Sequence, residues 1–151
     1  MSRYFTLCFL ALTVAFGLSQ PAQSTDGSEP ADIVLPGESV NLSEFVWIKR
    51  PLIVFADSPA DPRFIEQMAY INARLDDLDA RDVIVLIDTD PSTKSDLRIA
   101  LRPRGFMLAL IGKDGDVKLR KPRPWDVREI SRTIDKMPTR QQEIRDRRGD
   151  S

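Results

Sequence analysis

Three uninterrupted apolar runs mark the chain: Leu52-Ile53-Val54-Phe55, Val83-Ile84-Val85-Leu86-Ile87 and Phe106-Met107-Leu108-Ala109-Leu110-Ile111. None alternates with polar residues. Runs of this length without alternation suit strands covered on both faces. Between the first two the period changes. Phe64, Met68, Ile71, Leu75 and Leu78 step by four, three, four and three, which places them on one stripe of a helix. Asp61 fits its N-cap and Pro62 its first position, where a missing N–H is harmless. Strand, helix, strand at this spacing is a βαβ unit with a right-handed crossover.

The pattern continues on both sides of this unit. Asp88-Thr89-Asp90-Pro91-Ser92 ends the second strand, with Ser92 placed to cap a short helix that turns Leu97 and Leu101 inward. Gly112-Lys113-Asp114-Gly115-Asp116 is a hairpin turn in which Gly115 takes positive φ. Val117 and Leu119 alternate with charged residues, as an edge strand should. Asp126 and Glu129 have capping-box spacing, and Val127, Ile130, Ile134 and Met137 form the stripe of a last helix. Upstream, Ile33-Val34-Leu35 reads as a short edge strand and Val40-Asn41-Leu42 as another, with Ser43 capping one helical turn. After Pro138, Thr139 to Arg148 can restart as a helix, but Ile144 is its one apolar residue, so a solvated basic tail is expected.

The first residues have a different character. Arg3 precedes the apolar run Phe5–Leu18, and Ala22-Gln23-Ser24 offers small residues at signal-peptidase positions. The run is short of the roughly 20 apolar residues a stable membrane span needs. The expected organisation is a signal peptide at 1–24, a linker and N-terminal extension at 25–49, one α/β domain at 50–138 and a basic tail at 139–151. The expected location is periplasmic or secreted.

Composition then narrows the chemistry. Cys8 is the only cysteine, and it lies in the leader; the chain has no histidine. A processed chain has no thiol redox chemistry, no cysteine nucleophile and no cysteine-ligated zinc. Ser-His-Asp and Cys-His arrangements are excluded with the imidazole. Ser58 has no base to activate it. No cofactor is expected. Charge is uneven: Thr25–Val117 holds 10 basic and 17 acidic residues, and Lys118–Ser151 holds 11 basic and 6 acidic. The basic segment Lys118–Trp125 reads as a solvated edge strand with Trp125 over the core, not as a nucleic-acid site. The Arg140–Arg148 tail is a candidate contact for anionic lipid or a partner.

The element order is thioredoxin-like: two parallel strands followed by an antiparallel pair, a central mixed sheet of four to five strands flanked by helices. "GESVNLSEFVWIKRPLIVFA" resembles the lead-in of periplasmic thiol-disulfide and peroxiredoxin-like domains. Arg50 to Arg148 resembles a bacterial thioredoxin-like family, domain of unknown function 4174. "RPLIVFADSPADPRFIEQ", "RDVIVLIDTD", "GFMLALIGKDGDVKLR" and "IDKMPTRQQEIRDR" carry that resemblance. Against active thioredoxins, Ser58 to Asp61 occupies the place of the redox pair without sulfur. Phe106-Met107 stands where a redox thioredoxin has a cis-proline; a non-proline cis bond costs about 2.5–4 kcal/mol, so a trans bond is expected.

These readings point to a non-catalytic binding or scaffolding module with a protein partner in the bacterial envelope. The alternative is a divalent-cation or small-ligand site, even an enzymatic one, where Asp57, Asp61, Asp88 and Asp90 follow the first two strands. Ligands of open α/β sheets sit at that carboxyl edge, and hard cations take oxygen ligands. Two carboxylates about 4 Å apart at an effective dielectric near 20 repel by about 4 kcal/mol, which a cation, a lysine or a shifted pKa must relieve if they are close and partly buried. A further alternative is redox activity with a partner that supplies the thiol.

Overall fold

In a computed structural model, residues 33–149 are described. The expected leader and the linker as far as Asp32 lie outside the described residues. Strand β1 is Val34–Pro36. A 3-10 turn, Leu42–Phe45, follows in place of the expected second short strand. Its cap is Asn41, not Ser43: the Asn41 Oδ1 accepts the Ser43 backbone N–H at 3.0 Å and the Ser43 hydroxyl at 2.9 Å, so the hydroxyl is already engaged.

Strand β2 (Arg50–Phe55) is buried at every position, as its unbroken apolar run requires. Helix α1 (Pro62–Asn72) is capped by Asp61, which accepts the Arg63 N–H at 2.9 Å. The predicted stripe is divided between two helices. Arg74 leaves helical geometry at φ −146°, and α2 (Leu75–Asp79) restarts with Leu75 and Leu78 still on the same core cluster. Strand β3 (Val83–Asp88) comes next. Asp90 caps a 3-10 turn at Pro91–Thr93, and helix α3 (Asp96–Leu101) is capped by Ser95 rather than by Ser92. Strands β4 (Met107–Ile111) and β5 (Val117–Lys121) form the hairpin, with Gly115 at φ 83° in its turn. Helices α4 (Val127–Asp135, capped by Asp126) and α5 (Pro138–Gly149) complete the described chain. The described residues contain no cis peptide bond, and none of their helices is long and apolar enough to cross a membrane.

The sheet order is β1-β3-β2-β4-β5. Strands β1, β3 and β2 run parallel; β4 pairs antiparallel with β2, and β5 antiparallel with β4. Successive side chains face opposite sides, so each buried strand feeds two cores. Leu52, Val54, Val83, Val85, Leu108 and Leu110 pack under α1, α2 and α4 through Ile71, Leu78, Val127, Ile130 and Ile134. Ile53, Phe55, Ile84, Leu86, Ala109 and Ile111 pack under α3 and the first 3-10 turn through Leu97, Leu101, Leu42 and Phe45.

The segment expected as a solvated tail is helix α5, and ions rather than an apolar stripe hold its start. The fully buried Arg50 donates to the Arg81 carbonyl at 2.8 Å and to Glu143 Oε1 at 2.7 Å. Lys113 Nζ lies 3.2 Å from the same oxygen, and Arg140 donates to Glu143 Oε2 at 3.2 Å and to the Ala80 carbonyl at 3.0 Å. Strand β1 likewise makes the extension before residue 50 part of the sheet.

Candidate functional site at the carboxyl edge of the sheet

Parallel pairing of β2 with β3 brings Phe55 opposite Asp88, so the turns after both strands leave the sheet side by side. The four aspartates singled out in the sequence follow these strand ends, yet they divide between the two faces. Asp88 is the register mate of Phe55, whose ring belongs to the core beneath α3. Asp61 begins α1, which covers the opposite face. Among the described residues, no group of three or more acidic, histidine or cysteine side chains is placed to hold a metal ion.

Each half of the acidic edge has its own arginine. The Asp88 carboxylate is fully buried; Oδ1 accepts Arg98 Nε at 2.7 Å, and Oδ2 accepts the Ser95 hydroxyl. Arg98 Nη2 also donates to the Ala56 carbonyl at 2.7 Å and the Asp88 carbonyl at 3.1 Å, tying both strand ends to α3. Its guanidinium lies 5.5 Å from the centroid of the Phe55 ring. Arg63 grips Asp61 with two donors, Nε to Oδ1 at 3.1 Å and Nη2 to Oδ2 at 2.8 Å. The Arg63 side-chain hydrogen bond, followed by its backbone N–H, holds the Asp61 carboxyl below its usual range. Arg63 also feels the charge of the exposed Asp57. Asp90 caps its 3-10 turn, and hydrogen bonds from Ser92 hold its carboxyl low as well.

The positive charge that the sequence assigns to a cation is therefore supplied by Arg63 and Arg98. Neither stands out in the sequence as a partner of these aspartates. Arg63 had a local signal, lying two residues past the cap; Arg98 stands ten residues after Asp88 and on another element, so only the fold joins them. Gln67 has no local signal in the sequence either. It is buried within α1 and clamps the approach to α4, accepting the Trp125 N–H at 2.8 Å and donating to the Trp125 carbonyl at 3.1 Å.

The turn between β2 and α1 closes on itself. Ser58 Oγ accepts the Ala60 N–H at 3.1 Å, and the Ser58 carbonyl accepts the Asp61 N–H at 3.1 Å. With its mixed sheet and helices on both faces, the molecule is a thioredoxin-fold protein. Reduced 2-Cys peroxiredoxin of Plasmodium vivax shares this fold at a TM-score of 0.53 and 20% identity, over 64% of this chain and 81% of that one. Mitochondrial 2-Cys peroxiredoxin of Plasmodium falciparum is similar at 24% identity and a TM-score of 0.44, over 64% and 79%. No curated protein matches the chain. Residues 41–143 match the domain of unknown function DUF4174, and the chain belongs to that family.

Proposed function

We propose that the chain is an exported, non-catalytic thioredoxin-fold module that binds or scaffolds a protein of the bacterial envelope. One observation carries this reading: the turn where thiol enzymes of this fold hold their reactive sulfur contains Asp57-Ser58-Pro59-Ala60-Asp61, with Ser58 bonded into the turn and Asp61 held by Arg63. The single cysteine, Cys8, lies in the expected leader, and no histidine exists to activate Ser58. Export is supported by Arg3, the Phe5–Leu18 run and Ala22-Gln23-Ser24.

The test expresses the full chain in a bacterial host and measures the mass of the product in the periplasmic fraction. Loss of residues 1–24 is expected. The same product is assayed for insulin reduction with a dithiol and for peroxide consumption, and both should run at the background rate. A retained leader, or turnover above background, overturns the reading. Co-purification of a stoichiometric protein from that fraction identifies the partner.

A further inference from the structure

Four cations, Arg102, Arg104, Arg120 and Lys121, line a groove of about 270 Å³ whose accessible apolar wall is Met107 and Pro122, with the buried Phe106 behind them. It lies where β4 begins and β5 ends, at the same edge of the sheet as the carboxyl end of β2. The loop Arg102-Pro103-Arg104-Gly105 sets its rim. Arg102 stands at φ 50° and Gly105 at φ 63°, and Pro103 fixes a third φ between them. The path of this loop is thus narrowly defined, and with it the points from which two guanidinium groups project. The other two cations are also positioned: Arg120 Nη1 donates to the Leu101 carbonyl at 2.6 Å, and Lys121 Nζ lies 4.5 Å from the Trp125 ring centroid.

Ten other basic side chains among the described residues make ion pairs. Among those residues, none of the four in the groove has a carboxylate partner. Among the described residues, Lys49, Lys94, Arg123, Arg128, Lys136, Arg145 and Arg148 also stand outside ion pairs, but in this groove four such cations line one cavity. A monocarboxylate would offset one of these charges. A phosphate monoester carries close to two negative charges at neutral pH and three acceptor oxygens, which match the planar forks of neighbouring arginines. The volume is at the small end of ligand pockets, which suits a small molecule rather than a length of peptide or nucleic acid.

We propose that this groove binds a small organic phosphate monoester, its phosphoryl group on Arg102, Arg104 and Arg120 and its carbon skeleton against Met107 and Pro122. The proposal goes beyond the protein-binding reading, giving the same module a small-molecule ligand. Its failure would leave the background rate in the thiol assays unchanged, so the two stand or fall on separate results.

Calorimetry of the full chain with phenyl phosphate at low ionic strength tests it, with inorganic phosphate and phenol as comparisons. Saturable binding with a Kd on the order of 0.1–1 mM is expected, weaker for inorganic phosphate and absent for phenol. Arg102→Gln with Arg104→Gln should weaken it about tenfold or more; both residues are exposed, so the melting temperature should hold. Lys136→Gln, outside the groove, should change nothing. Vesicles of phosphatidylcholine with phosphatidic acid distinguish a lipid source: binding to both probes adds the headgroup as a source, and binding to vesicles alone overturns the proposal. No heat with millimolar phenyl phosphate, equal affinity for inorganic phosphate, or an unaltered double variant also overturns it.

Discussion

Replacing Arg98 by alanine isolates the part played by the buried pair beneath α3. The Asp88 carboxylate is fully inaccessible and Arg98 nearly so. The substitution removes the 2.7 Å bond to Asp88 Oδ1 and the donors to the Ala56 and Asp88 carbonyls. It leaves the carboxylate with the Ser95 hydroxyl and a long 3.4 Å contact from the Asp90 N–H. Breaking a buried pair from one side costs about 3–5 kcal/mol, because the remaining charge has no counter-ion. At about 4 °C per kcal/mol for a domain of this size, the melting temperature should fall by about 12–20 °C. Circular-dichroism melts at pH 7 and urea titrations followed by tryptophan fluorescence read both quantities. Arg98→Met combined with Asp88→Asn removes both charges and should recover part of the loss, giving a coupling of about 2 kcal/mol or more in a double-mutant cycle. Arg98→Lys should fall between, since an ammonium cannot reproduce the fork that reaches both strand ends. A loss below about 1 kcal/mol for Arg98→Ala, or additive single effects, would refute the assignment of this pair as the anchor of α3.

Three other outcomes are expected. At Glu143, desolvation by burial acts upward but is outweighed by hydrogen bonds from Arg50 and Lys113, the charge of Arg50 and a hydrogen bond from Arg140, so the carboxyl falls from 4.5 to about 2. Its folded pKa lies below the unfolded one, so its contribution, on the order of 1–2 kcal/mol once solvent screening is allowed for, is present above about pH 5 and lost as the pH falls toward 2; urea titrations across that range should show this slope, and Glu143→Gln should flatten it. Gln67→Leu leaves the Trp125 N–H and carbonyl without their partner and should cost about 1–3 kcal/mol, read as a fall of about 4–12 °C in melting temperature. Millimolar Mg²⁺ or Ca²⁺ should give neither heat nor thermal shift, because Arg63 and Arg98 already hold Asp61 and Asp88; a saturable isotherm abolished by Asp57→Asn with Asp61→Asn would restore the cation reading.

Local chemistry in the sequence was enough to place β2, β3 and β4, each an uninterrupted apolar run, and the caps Asp61 and Asp126. These features depend on neighbours a few residues away or on a periodicity that burial imposes. Failures arose where a distant residue decided the outcome. Ser95 caps α3 because its hydroxyl also meets Asp88, while Asp90 folds Pro91–Thr93 into a separate turn and removes Ser92 from contention. Most of helix α5 is exposed, as its pattern predicts, and hydrophobic pattern is blind only to the docking of its start by Arg140 and Glu143. The acidic edge was visible as four aspartates, but period-two alternation sends Asp88 to the face opposite α1. Their counter-ion at β3 comes from an arginine that only the fold brings near.

The ion cluster around Arg50 also fixes where this domain can be trimmed. The family match ends at residue 143, the glutamate that neutralises a guanidinium at the start of the central strand, 93 residues earlier in the chain. A fragment cut at Pro138, where apolar periodicity stops, would strand that guanidinium in the interior, already short of one partner at Nε. Electrostatic closure thus joins the first buried strand to the last described helix, and a shortened chain that keeps residue 143 keeps those two ends latched.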